Sequence, residues 1–166
     1  MLDQLKSEID ARREDLITLT QDLIRIPTLN PPGLHYRDIC EFLNRRLRKS
    51  GFDTELIRAN GAPGDSDTHP RWNIVARREG GRTGPCVHFN SHIDVVETGH
   101  GWTVDPFAGT LKDGKIYGRG ACDMKGGLAA SMVAVEAFVA CCPDYAGAIE
   151  ISGTADEESG GFGGVA

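Results

Sequence analysis

No hydrophobic run in this sequence approaches the length of a membrane span. The first ten residues, Met1 to Asp10, mix charged and apolar side chains instead of placing a positive start before an apolar stretch. No membrane partner and no export leader are expected, and the cytoplasm is the expected location. A sustained basic stripe is also missing. Lys and Arg number 18 against 24 Asp and Glu, a formal charge of −6, and the short run Arg45 to Lys49 reads as one solvated helix face. Nucleic acid is therefore not an expected partner. The five cysteines, Cys40, Cys86, Cys122, Cys141 and Cys142, are odd in number and never spaced C-x-x-C. That argues against both a disulfide framework and a thiolate zinc site, and the thiols are expected to be reduced. Cys122, beside Asp123, reads as an inert thiol rather than a nucleophile. There is no internal repeat and no low-complexity tract.

What is present is enough for one folded domain. A chain of 166 residues, 40% hydrophobic and 25% charged, has a globular composition. At this size roughly 70% of the surface of the unfolded chain is buried, and a second full domain is not expected. Leu5, Ile9, Leu16, Leu19, Leu23 and Ile26 recur at helical spacing until Pro27, which predicts one long amphipathic helix. A second helix is predicted from about His35 to Ser50, closed by Gly51. Strands are expected at Phe52 to Arg58, Asn73 to Arg78, Cys86 to Asn90 and Ala148 to Ser152. Asp113-Gly114 marks a tight hairpin, and an Ala-rich helix should run from Met124 to about Cys141, before Pro143. The Gly- and Pro-rich stretch from Gly61 to Pro70 reads as a loop whose Asp65, Asp67 and His69 are solvated rather than metal-binding. Alternating helices and strands with an interleaved hairpin argue for an α/β layered domain with a mixed sheet, whose binding crevice lies just after the strands.

Three clusters carry chemistry. His92 and Asp94 form an H-x-D pair, Asp123 sits in the glycine-rich run GRGACDMKGG, and Asp156, Glu157 and Glu158 follow a buried strand. Imidazole and carboxylate suit zinc and its first-row neighbours. His88 shares a strand face with His92 but lies about 13 Å from it, too far for a shared ion, and is expected to be a hydrogen-bonded core histidine. Asp94 is near enough for its carboxylate to accept the His92 ring N–H that metal would not use. The run around Asp123 could suggest a dinucleotide fold. The third glycine of that fingerprint is replaced by Asp123 itself, whose charge would repel a pyrophosphate. Glu157 and Glu158, as neighbours, point differently and can take different tasks.

FNSHIDVV, YGRGACDMKGG and GTADEESGG, in that order and spacing, resemble the leading motifs of the M20 metallopeptidase family, near its acetylornithine deacetylase and succinyl-diaminopimelate desuccinylase branch. The resemblance covers essentially the whole chain. It implies a layered α/β/α catalytic domain with a mixed, mainly parallel sheet, of which residues 1–166 would be the amino-terminal portion, cut before the lid and dimerisation domain. It implies two divalent metal ions, zinc first with cobalt or manganese as alternatives, with His92 on one, Asp123 bridging and Glu158 on the other. Asp94 would orient His92 and Glu157 would be the general base. Asp156 has no implied role and reads as a loop acid or helix cap. The implied substrate is a small N-acyl amino acid cleaved at its amide, and full-length members are often homodimers. Two further ligands implied by the family lie outside this sequence, so the chain alone is expected to be inactive. A dipeptidase or carboxypeptidase, or a truncated non-catalytic binding protein, are the alternatives.

Overall fold

In the computed structural model, which describes residues 1–165, four strands form one sheet with the helices against it. The elements are α1 (Leu2–Ala11), α2 (Arg13–Ile24), α3 (Tyr36–Lys49), β1 (Asp53–Arg58), β2 (Trp72–Glu79), β3 (Arg82–His92), β4 (Thr110–Lys112), β5 (Lys115–Tyr117), α4 (Lys125–Cys141) and β6 (Ala146–Thr154). A 3-10 turn at Glu157–Ser159 follows β6. The expected first helix is broken in two at Arg12 (φ −93°, ψ 10°), although neither Gly nor Pro stands there. The Arg12 guanidinium reaches back to Glu8 at 2.9 Å and forward to within 3.8 Å of Glu136 on α4, so a tertiary ion pair sits at the bend. The helix predicted from His35 to Ser50 (α3), the Ala-rich helix (α4) and the hairpin lie where the sequence predicts them. Asp113 and Gly114 both take positive φ (51° and 71°), as a two-residue hairpin turn requires.

The sheet order is β1-β2-β6-β3. It is mixed, as expected, but not mainly parallel. β1 pairs antiparallel with β2, β2 pairs antiparallel with β6, and β3 pairs parallel with β6; the one other parallel pairing among the described residues is an isolated bridge between Leu29 and Val95. Connections explain the difference, because a parallel return needs a long crossover, usually a helix. The path from β3 to β6 contains α4, whereas the path from β1 to β2 is the Gly- and Pro-rich loop, with no helix to carry a crossover.

One core joins the helices to one sheet face. Leu19 and Leu23 of α2, Ile39, Leu43 and Leu47 of α3, and Leu128 and Met132 of α4 pack with Ile74, Ala76, Ile149 and Ile151. Full burial of each such leucine or isoleucine contributes roughly 1.5–3 kcal/mol. The opposite face carries Arg77, His88, Asn90, Glu150 and Ser152, linked by polar contacts such as Arg77 to Glu150 at 2.6 Å. Among the described residues no helix covers it, so the structure has two of the three expected layers. His88 is on this face. It is hydrogen-bonded, to Ser152 Oγ at 2.9 Å, but it is exposed rather than in the core. At the end of β1, Arg58 engages Asp65 at 3.1 Å and Asp67 at 3.3 Å in the loop to β2, leaving those acids to an internal cation.

Candidate metal centre

The carboxyl-terminal ends of the parallel pair β3 and β6 present the site. β3 ends at His92 and β6 at Thr154, directly opposite one another. The chain past each end carries the chemistry, which follows from ending two parallel strands at the same edge. The third component, Asp123, lies on the turn into α4, and its peptide bond to Met124 is cis. The ligand atoms of His92, Asp123 and Glu158 all lie within 4.8 Å of one another.

His92 is buried and its ring orientation is fixed from both sides. Nδ1 lies 3.0 Å from the backbone carbonyl of Asp94, and Nε2 lies 3.1 Å from Asp123 Oδ1. Burial alone would lower the affinity of the ring for a proton. Hydrogen bonds and charge from Asp94 and Asp123 prevail, and the pKa is pushed up to about 9. Asp123 is the open side of the site, with 79% of its side chain exposed. Glu157 is also exposed, its Oε2 3.9 Å from His92 Nε2. Glu158 is partly buried. Desolvation, opposed by His92 and reinforced by Asp123, Asp94 and Glu157, raises its pKa above the usual carboxylate value. Three carboxylates thus stand around one imidazole. A donor set of imidazole and carboxylates fits divalent cations of the zinc type.

Asp94 does something different from the sequence expectation. It is wholly buried, yet its carboxylate is 3.5 Å from the His92 ring nitrogen, and the close acceptor of that N–H is its own carbonyl. The carboxylate instead accepts from Asn30 Nδ2 at 2.9 Å, from the Glu158 N–H at 3.1 Å and from the Glu157 N–H at 3.2 Å. It joins the H-x-D strand end to the acid turn. Asp156 also departs from the loop-acid reading. Its side chain is buried against Arg71 and Tyr36 and makes no cap hydrogen bond.

Asn30 and Lys125 are two supporting residues that sequence reasoning missed. Asn30 also donates to Ser159 Oγ at 2.8 Å, and nothing in the sequence around it signals that reach across the fold. Lys125 is fully buried, with Nζ donating to the carbonyls of Leu23 at 2.9 Å and Ile26 at 2.6 Å, at and just beyond the end of α2. A lysine opening a mainly apolar helix two residues after Asp123 was a usable signal for it. Among the described residues no helix is long and apolar enough to cross a membrane, and the five cysteines are free.

Residues 88–166 match Peptidase family M20/M25/M40. Succinyl-diaminopimelate desuccinylase of Burkholderia multivorans is 42% identical over 144 residues, covering 86% of this chain and 35% of that protein. The chain thus spans about a third of the length of such curated relatives. Among solved structures, human carnosine dipeptidase 1 superposes with a TM-score of 0.81 at 26% identity, over 98% of this chain and 36% of that one. The Bacillus subtilis YXEP protein, described as a dinuclear metal-binding peptidase from the M20 family, superposes with a TM-score of 0.55 at 16% identity, over 87% of this chain and 35% of that one. The α/β fold is therefore shared with M20 peptidases. Residues 88–166 thus carry the match to the M20 family, and over 144 residues the chain is similar to its succinyl-diaminopimelate desuccinylases, in keeping with the three motifs.

Proposed function

We propose that this chain is the amino-terminal part of the catalytic domain of a two-metal hydrolase that cleaves the amide bond of N-acyl amino acids, of the desuccinylase or deacetylase type. One observation carries the reading. His92, Asp123 and Glu158 come from three separate segments, yet their ligand atoms converge within 4.8 Å. The 42% identity to a desuccinylase supports the substrate class.

In this reading His92 offers Nε2, Asp123 lies between two sites, and Glu158 serves the second. Divalent cations, when bound, supply Lewis acidity toward an amide carbonyl and a lowered water pKa, with zinc first and cobalt or manganese as alternatives. Glu157 is the general base. Its exposed carboxylate, 3.9 Å from His92 Nε2, takes a proton from the attacking water and returns it to the departing amine. Asp94 holds His92 through its carbonyl and the acid turn through its carboxylate. The remaining ligands belong to sequence beyond these residues, so the isolated chain binds metal weakly and does not turn over.

The test is calorimetric titration of the chain with Zn(II) and Co(II), alongside assays on N-succinyl-diaminopimelate, N-acetylornithine and a dipeptide. Weak metal uptake without hydrolysis is expected. Uptake that survives replacement of both His92 and Glu158 would sink the site assignment, and measurable turnover would sink the claim of incompleteness. Preference for the dipeptide in a longer parent protein would move the reading to a dipeptidase, the activity named for a structural neighbour. A second reading, a non-catalytic binding module, is favoured by an apolar groove of about 250 Å³ lined by Pro85, Val87, Phe89, Ala134 and Phe138. A stable metal-free complex through that groove would support it.

A further inference from the structure

The acid turn is anchored from behind by a buried ion pair that the proposed chemistry does not use. Asp156 immediately precedes Glu157, and its backbone is left-handed (φ 64°, ψ 19°), a conformation uncommon outside glycine. Its Oδ2 accepts a hydrogen bond from Arg71 Nε at 2.9 Å, and its Oδ1 accepts one from the Tyr36 hydroxyl at 2.9 Å. All three residues are buried. The Arg71 guanidinium lies 5.6 Å from the centroid of the Tyr36 ring and donates to the carbonyls of Pro32 at 2.7 Å and His69 at 2.9 Å. The backbones of Gly33 and Gly163 press against this group. A Cβ at either would collide with the guanidinium of Arg71 or the carboxylate of Asp156.

A buried ion pair is a poor source of stability compared with an apolar pair of the same volume, so its best use is to specify a geometry. Here the geometry is that of residues 156–161. The Asp156 carbonyl accepts from the Ser159 N–H at 3.1 Å and the Gly161 N–H at 2.7 Å, so the peptide unit that the left-handed backbone sets also closes the turn. From the front, the Asp94 carboxylate accepts the N–H groups of Glu157 and Glu158. The turn is therefore gripped between two buried aspartates. Rotation at residue 156 to an ordinary φ would break the closing hydrogen bonds and swing both glutamates away from His92.

We propose that Asp156, held by Arg71 and Tyr36, is the positioning residue of the acid turn and sets where the Glu157 and Glu158 carboxylates stand relative to His92 and Asp123. The positional claim stands on this geometry alone. Its consequence for metal rests on the function proposed above.

The experiment compares Asp156→Asn, Arg71→Met and the milder Tyr36→Phe with a control, Arg46→Met. The control breaks a half-buried ion cluster of Arg46 with Asp15 and Glu136, both at 2.6 Å, and none of these residues touches the turn. Two quantities are read in the folded protein: amide hydrogen exchange at Glu158, Ser159 and Gly161 relative to α4, and the dissociation constant for Co(II) from its visible absorption. Asp156→Asn and Arg71→Met should speed exchange in the turn and weaken Co(II) binding, each by roughly tenfold or more, with a smaller change in Tyr36→Phe. Arg46→Met should lower the melting temperature and leave both quantities unchanged. The proposal is overturned if the turn amides exchange at wild-type rates in Asp156→Asn and Tyr36→Phe, or if Arg46→Met loosens the turn equally. Should Arg71→Met not fold, the other two variants decide. If the wild-type chain takes up no Co(II), the metal-centre reading fails by itself and the exchange measurement still decides this inference.

Discussion

The two halves of β3 lie on one strand and have opposite characters. At its carboxyl-terminal end and just beyond, Ser91 to Val95 are all buried, and the side chains of His92 and Asp94 are engaged by Asp123, Asn30 and the acid turn. Towards its start, Arg82 to His88 are exposed, Val87 by 51%, and Pro85, Val87 and Phe89 line the apolar groove. β6 is the only strand paired with β3 among the described residues, so its other edge presents free backbone donors and acceptors. The same strand therefore ends in a region where polar groups find protein partners and begins in one where apolar groups lack them. Precision at the site comes from buried hydrogen bonds, whereas the other end contributes surface that can be changed cheaply.

Four measurements can break or sharpen that contrast. The largest effect should come from Arg71→Ala, which leaves the Asp156 carboxylate buried and unpaired. Urea unfolding should show a loss of about 3–5 kcal/mol, and a loss under 1 kcal/mol would mean that the site end is no more tightly built than the open end. Next, Glu158→Gln should weaken Co(II) binding by more than the roughly 10–100-fold typical of losing a residue behind a ligand, with little change in melting temperature.

The third is a pH effect on the metal-free chain. His92 is held at about 9 when folded and returns to 6.5 when unfolded. The folded state therefore binds the extra proton between these values. Its stabilisation is complete below about pH 6.5 and is lost as pH rises through 9, which denaturation at a series of pH values would detect. A His92 ring resonance, assigned by its loss in a His92 variant, that titrated near 6.5 would contradict it. The smallest effect should be Val87→Lys at the open end, within about 0.5 kcal/mol of wild type in unfolding. It should also reduce self-association in light scattering, because a charge blunts an exposed edge.

Much of this was legible in the sequence, and the limits were physical. Periodicity and breakers placed α3, α4 and the hairpin because those signals are local. The single long first helix was misjudged at Arg12, where no local breaker stands and where the chain meets Glu136, far away in sequence. Strand polarity was misjudged for a related reason, since the spacing of strands does not say which of them β6 will enter between. The motif resemblance nominated His92, Asp123 and Glu158, and the structure brings those three side chains together. What sequence could not reveal was the scaffold behind them. Arg71, Tyr36 and Asn30 look like ordinary loop and helix residues until the fold places them against Asp156 and Asp94.

Lys125 has a consequence of its own. Its ammonium is sealed inside by the carbonyls of Leu23 and Ile26, while Lys6, Lys49, Lys112 and Lys115 stand in solvent. An amine-acylating reagent should label those four at once and spare the fifth until the first helices part from the Asp123 turn. The labelling rate of that one amine would then act as a clock for the opening of this joint.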